Sequence, residues 1–239
     1  MTGTQYTLRV VNNSTNFVDM CMYQEDPNLG VPNVVSLAWF AKPAYETTTV
    51  VFRWTVDYSF VWSETGELIP GVYFDASQTW PADPSTVGTS TDTKAGNQIG
   101  FSHPSPNAYT FTSTPFPGAK VGSLYVTENP NVPLRRSSVG IGMSGAGTFA
   151  VQAQPNLNLT FTPHPVYYLA AGTYSQGEVL DIASMTNPTD IRFPDGVFSM
   201  TATLTKNNSW VVNDTPAANA LEHKQSLTDR RRVLAGATR

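Results

Sequence analysis

The chain has 239 residues, of which 13% are charged, 40% hydrophobic and 11% aromatic, with a net charge of −4. A ring-rich composition of this kind excludes collagen-like and disordered chains and suits one large all-β domain. Residues 1–214 hold 9 basic against 16 acidic side chains, so neither nucleic acid nor an anionic membrane is expected as a partner, because both are bound through Lys and Arg.

The single cysteine, Cys21, rules out an internal disulfide framework. No stretch approaches the roughly 18 apolar residues that a membrane-spanning helix needs. The first ten residues, MTGTQYTLRV, lack a basic region followed by an apolar one, so a cytoplasmic location is expected.

Along the chain, Tyr6, Leu8 and Val10 mark one face of a first strand, which Asn12-Asn13-Ser14 closes. Phe17–Tyr23 is apolar on both faces, as in a strand covered on two sides. A third apolar run, Val34–Phe40, precedes the strongest pattern in the chain. From Val50 to Trp62 every even position is apolar, and the odd positions are mostly polar. Side chains alternate across a strand, so this is one long half-buried strand or two joined by a bend near Asp57. Unbroken, it would span roughly 40 Å, about twice a typical strand.

Ser77–Gly96 is polar and carries Pro81 and Pro84, which reads as either a loop over one end of a sandwich or a mobile segment. Short strands then recur at Ile99–Phe101, Tyr109–Phe111, Leu124–Val126, Val139–Met143, Phe149–Ala153, Leu157–Phe161 and Tyr167–Ala170. Phe198–Leu204 and Trp210 flank Asn207-Asn208, which predicts a tight hairpin joining the last two strands. No amphipathic helix precedes residue 215. The expected fold is therefore all-β, a single antiparallel, jelly-roll-like β-sandwich over residues 1–214. The tail 215–239, which includes Arg230–Arg232, is expected to lie outside the core, disordered or as a short helix.

Few residues invite chemistry. Gly140-Ile141-Gly142-Met143-Ser144-Gly145 matches a dinucleotide fingerprint in letters, but a strand pattern follows it where a helix is required. The expected role is a hairpin whose glycines admit close packing. Ser144 fails the nucleophile-elbow pattern at Ala146. His103 and His164 sit beside prolines in turn-like contexts, and Cys21 lies mid-strand among apolar residues. No catalytic residue, metal or cofactor is expected. The site candidate is the segment Asp75–Asp83, in which Asp75, Gln78, Trp80 and Asp83 could present an aromatic face beside hydrogen-bonding groups to a sugar. The competing expectation is that Trp80 plugs one end of the core. Trp39, Trp54 and Trp62 are expected in the core. Self-association through an exposed edge of the long strand is a further expectation.

Several stretches together resemble one family. They are Val10-Val11-Asn12-Asn13-Ser14, Tyr23-Gln24, Val35–Phe40, Asp57–Trp62, Phe74–Pro81, Val139–Gly147 and Gln154-Pro155-Asn156. Across roughly residues 5–212 the chain resembles the RhiA family, rhizosphere-expressed proteins of rhizobia. The resemblance implies a soluble product of a quorum-sensing-controlled operon with a part in plant–microbe interaction. It supplies no catalytic residues. The combined expectation is a non-enzymatic protein that acts by binding or assembly, with a glycan-binding module as the alternative.

Overall fold

The computed structural model describes residues 4–26, 29–85, 96–106, 108–118 and 120–213. Most of the polar stretch after Pro84 and the whole tail 215–239 lie outside the described residues. Strands come first as β1 (Gln5–Asn12), β2 (Val18–Glu25), β3 (Val35–Ser36), β4 (Phe40–Ala44), β5 (Thr49–Thr55) and β6 (Tyr58–Ser63). They continue as β7 (Gln78–Ala82), β8 (Gln98–Ser105), β9 (Ala108–Phe111), β10 (Leu124–Glu128), β11 (Ser138–Met143) and β12 (Ala146–Gln152). The last are β13 (Asn158–Phe161), β14 (Val166–Gly172), β15 (Thr189–Ile191), β16 (Ser199–Leu204) and β17 (Trp210–Asn213). Among the described residues the sole helical element is one 3₁₀ turn, Ile182–Ser184, and no helix is long and apolar enough to cross a membrane.

The chain is all-β as expected, but it does not form a single sandwich. Four sheets are present, ordered β17-β16-β1-β5, β15-β14-β2-β4, β3-β12-β11-β6-β7 and β13-β10-β8-β9. The first two enclose one core, in which Leu8, Phe52, Trp54 and Met200 meet Met20, Met22 and Leu169. The other two enclose a second, in which Phe60, Trp62, Ile141 and Phe149 meet Ile99, Phe101, Val126 and Phe161. The sheets are also not purely antiparallel, since β1 runs parallel to β16 and β8 parallel to β10.

The physical reason lies in the long alternating run. It divides at Val56-Asp57 into β5 and β6, which belong to different sheets. Phe52 and Trp54 point into the first core, Phe60 and Trp62 into the second. Asp57 Oδ1 accepts the Thr55 hydroxyl at 2.6 Å and the Ser144 hydroxyl at 3.1 Å, and the Ser144 N–H approaches the Asp57 carbonyl at 3.2 Å. Tyr58, just past the bend, packs against both cores. Trp39 is fully buried, stands edge-on to Trp54 at 5.6 Å, and donates from Nε1 to the Met143 carbonyl at 2.8 Å. Such aromatic pairs add about 0.5–1.5 kcal/mol beyond the area they bury.

β2 is covered on both faces, as its sequence implies. Met20 and Met22 enter the first core, while Cys21 and Tyr23 lie under Ala38 and Leu180. β6 is likewise covered: Val61 lies beneath Leu37, Phe74 and Val179. Asn12 ties down the first turn, its side-chain amide donating to the Asn16 and Ala44 carbonyls and its oxygen accepting from Ser14. The final hairpin pairs Leu204 with Trp210 across Asn208, whose φ is 56°.

The glycine-rich segment forms the β11–β12 hairpin. Ser144 and Gly145 both take positive φ, 52° and 77°, as a two-residue turn that matches strand twist demands. Gly140 meets the facing strand so closely that a Cβ would stand 2.0 Å from the Phe149 carbonyl oxygen. Backbone cannot yield there as a side chain could. Gly140→Ala is therefore expected to cost upward of about 3 kcal/mol. Gly145→Ala, with open space around it, should cost only about 1–2 kcal/mol from its left-handed backbone. Urea midpoints of the two variants compared with the parent chain check that order.

Candidate functional site

The structure separates the four residues of the Asp75–Asp83 segment. Residues 78–82, read from sequence as loop, form the edge strand β7. Its alternation turns Gln78, Trp80 and Ala82 inward and leaves Thr79 and Pro81 outward. Trp80 is half-buried and packs against the second core. Gln78 Oε1 accepts from Trp62 Nε1 at 2.8 Å and from the Phe111 N–H at 3.2 Å, clipping two facing sheets together. Asp83 Oδ1 accepts the Ser85 N–H at 2.9 Å and its hydroxyl at 2.5 Å in a local turn. Asp75 is exposed beyond the other end of the strand, lining a recess of about 400 Å³ with Thr79, Gln176 and the Gly145–Gly147 turn. No shared face carries all four groups. Trp39, Trp54 and Trp62 are buried.

The groups that could suggest catalysis have structural partners. Ser144 Oγ accepts the Thr55 N–H at 2.8 Å and lies 3.0 Å from the Thr55 carbonyl. That hydroxyl thus occupies the outer edge of β5, and Lys42 Nζ occupies it again at the Val51 carbonyl, 2.6 Å away. The edge of the long strand is blunted at two points. The His103 ring rests on Tyr109, with centroids 4.3 Å apart. The His164 ring Nδ1 lies 3.1 Å from the Thr162 carbonyl, and the His164 main-chain N–H donates to the Asp26 carboxylate. Burial, reinforced by Glu178 and Asp19, pushes the Cys21 thiol far above its ordinary range, so it is not a thiolate at neutral pH. Among the described residues no three His, Cys, Asp or Glu side chains converge as metal ligands.

A larger hollow lies elsewhere, at the open side of the second sheet pair. It measures about 750 Å³, within the usual range for ligand pockets. Its walls are the segment Gly30–Val35, the end of β12, the strand β13 with Leu157 before it, and the side chains of Leu68 and Arg135. Val31, Val151 and Leu159 give it an apolar floor, and Asn33, Gln152, Gln154 and Asn158 give it amides. No aromatic residue lines it.

These walls are fixed by unusual backbone. Asn33 and Arg135 take φ of 57° and 54°, in the left-handed region. Asn tolerates that conformation; for a residue as large as Arg it is sustained by its surroundings. The Arg135 N–H donates to the Ala153 carbonyl at 3.1 Å, and Gly66 lies so close that a Cβ would sit 2.2 Å from the Arg135 carbonyl oxygen. Beneath the groove, Glu128 is 1% exposed, and its Oε2 accepts the Gln154 N–H at 2.6 Å. Sequence patterning missed this site because its residues come from four separated stretches. The one local signal was Gln154-Pro155-Asn156, a turn in which Asn156 adopts φ 61°.

Burial pushes the Glu128 carboxyl from the ordinary 4.5 up to about 7, against the opposing pull of the Gln154 N–H. The folded chain thus holds this proton more tightly than the unfolded chain. The corresponding stability is fully present below about pH 4.5 and falls by roughly 3 kcal/mol as pH rises to about 7. Glu128→Gln, which keeps an acceptor for Gln154 and cannot ionise, should remove that decline. Urea midpoints across the window decide it: a variant that declines as the parent does would refute the assignment.

The RhiA family model matches residues 3–215. Over 215 residues the chain is 42% identical to Protein RhiA of Rhizobium leguminosarum bv. viciae, covering 88% of this chain and 87% of that protein. No solved structure matches it. With a match across both cores, the bend between them and the groove, the chain belongs to the RhiA family.

Proposed function

We propose that this RhiA-family chain acts by binding and not by catalysis, as a soluble cytoplasmic protein of rhizosphere adaptation and plant–microbe interaction. The groove between β12 and β13 is its ligand site. One observation carries the reading: a hollow of about 750 Å³ has walls held by left-handed backbone at Asn33 and Arg135. Backbone strain of about 1–3 kcal/mol per residue persists where a site is pre-organised. The glycan-binding alternative at Asp75–Asp83 has weaker support, because Trp80 turns toward the core. Assembly through the long strand is opposed by Ser144 and Lys42 on the β5 edge.

The test is a thermal-shift screen of the full chain against plant and bacterial glycans, small plant metabolites and pooled random peptides, run beside Leu157→Trp. A ligand at 100 times its dissociation constant stabilises the fold by about 2.7 kcal/mol, enough to raise the melting temperature measurably. The expected result is at least one hit that Leu157→Trp abolishes by filling the groove. A blank screen, or hits indifferent to that substitution, overturns the assignment.

A further inference from the structure

The ladder registers show what the groove walls offer. The Tyr125 N–H bonds to the Asn97 carbonyl on the β8 side, so Tyr125 and Thr127 direct their main-chain groups away from β13. Their partners Thr160 and Asn158 therefore direct their own N–H and C=O away from β10, out from the sheet. Two residues on, the Thr162 N–H confirms that direction by bonding to the Leu29 carbonyl at 3.0 Å. The chain then diverges at Gly30, which has φ 84°. Among the described residues the outward main-chain groups of Asn158 and Thr160 have no hydrogen-bond partner.

The opposite wall repeats the arrangement. The Ala153 N–H bonds to the Ser137 carbonyl on the β11 side, and the Thr148 carbonyl accepts from Leu37 on the β3 side. Gln152 is in phase with Thr148, so its main-chain groups face outward. The pairing with β3 stops at Val35, because the chain turns away through Asn33. The groove thus holds unpaired donors and acceptors on both walls, and those of β13 repeat every two residues, about 6.8 Å.

We propose that the occupant of this groove is an extended peptide that carries a carboxylate and adds as a strand to the free edge of β13. The inference rests on the groove reading given above. A peptide in extended form presents main-chain donors and acceptors at the same repeat, which a sugar does not. Sugar or base recognition would also be expected to use a stacking surface, and the lining contains no aromatic ring. The carboxylate is selected by Arg135, an exposed guanidinium lining the groove. Among the described residues no acidic side chain forms an ion pair with Arg135. Alternate side chains of the added strand would rest on Val31, Val34 and Leu159.

The experiment pans a display library of random 12-residue peptides against the full chain and measures the affinity of a synthetic enriched peptide. N-methylation of alternate residues in one register should cost about tenfold, since one lost hydrogen bond is worth about 1.4 kcal/mol, and the other register should be tolerated. Asn158→Pro removes an N–H that no ladder uses and should cost a similar factor at an unchanged melting temperature. Arg135→Gln should weaken binding several-fold. A peptide amide that loses that sensitivity places the carboxylate at the C-terminus, and an acidic-to-amide substitution that loses it places it on a side chain. Failure to enrich any peptide overturns the inference, as does equal tolerance of both methylation registers by a peptide that Leu157→Trp still displaces. In that last case the groove reading survives. Binding that persists in Leu157→Trp removes both.

Discussion

The Asp57 carboxylate and the turn it holds organise the whole fold. A run that is apolar at every even position from Val50 to Trp62 has no intrinsic reason to stop being one strand. What divides it is a set of hydrogen bonds that the Asp57 carboxylate accepts from Thr55 and from Ser144, a residue 87 positions further along the chain. The Ser144 hydroxyl serves Thr55 as well. With the bend fixed, β5 and β6 can each carry their aromatic face into a different core. The hairpin of β11 and β12 is then drawn beside β6, and the last residue of β11, Met143, reaches back into the first core.

From that junction follows the placement of the groove. β12 is paired with β3 for only two residues, and β13 stands at the edge of its sheet. The two edges face each other across the open side of the second sheet pair. The chain segments that could have closed the gap turn away at Gly30 and Asn33. Glu128, buried without a countercharge, fixes the Gln154 end of the wall at the expense of desolvating a carboxylate. A cheaper route to the same loop geometry would be a neutral acceptor.

The strands were largely legible in the sequence because half-burial writes itself as alternation. β2, with apolar residues on both of its faces, is covered on two sides, and Asn207-Asn208 is a hairpin. The number of sheets was not legible, since the period of two continues in phase through Val56 and Tyr58 and carries no trace of the bend. β7 was hidden by Pro81. The Asp83 N–H points away from β6 to the Gly96 carbonyl at 3.0 Å, so Pro81, in phase with it, also faces outward and its missing donor breaks no ladder bond. The same strand shows why the Asp75–Asp83 reading did not assemble: composition cannot say which face of a strand Trp80 occupies. The groove was invisible for a different cause. Its polar surface is main chain, exposed by where neighbouring strands end, and no side-chain motif encodes that.

The parallel pairing of β1 with β16 has a consequence for how the chain is made. Thr7 lies opposite Ser199 and Asn12 opposite Leu204, so the first strand is completed by nearly the last. At a synthesis rate of about 5–20 residues per second, those partners emerge roughly 10–40 s apart. During that interval β1 can pair with β5 on one side only, and the other edge of a strand that carries Leu8 and Val10 into the core stays open. Contacts of such sequence separation place folding at the slow end for domains of this class. Until its final strands arrive, the nascent chain carries that edge without its native partner.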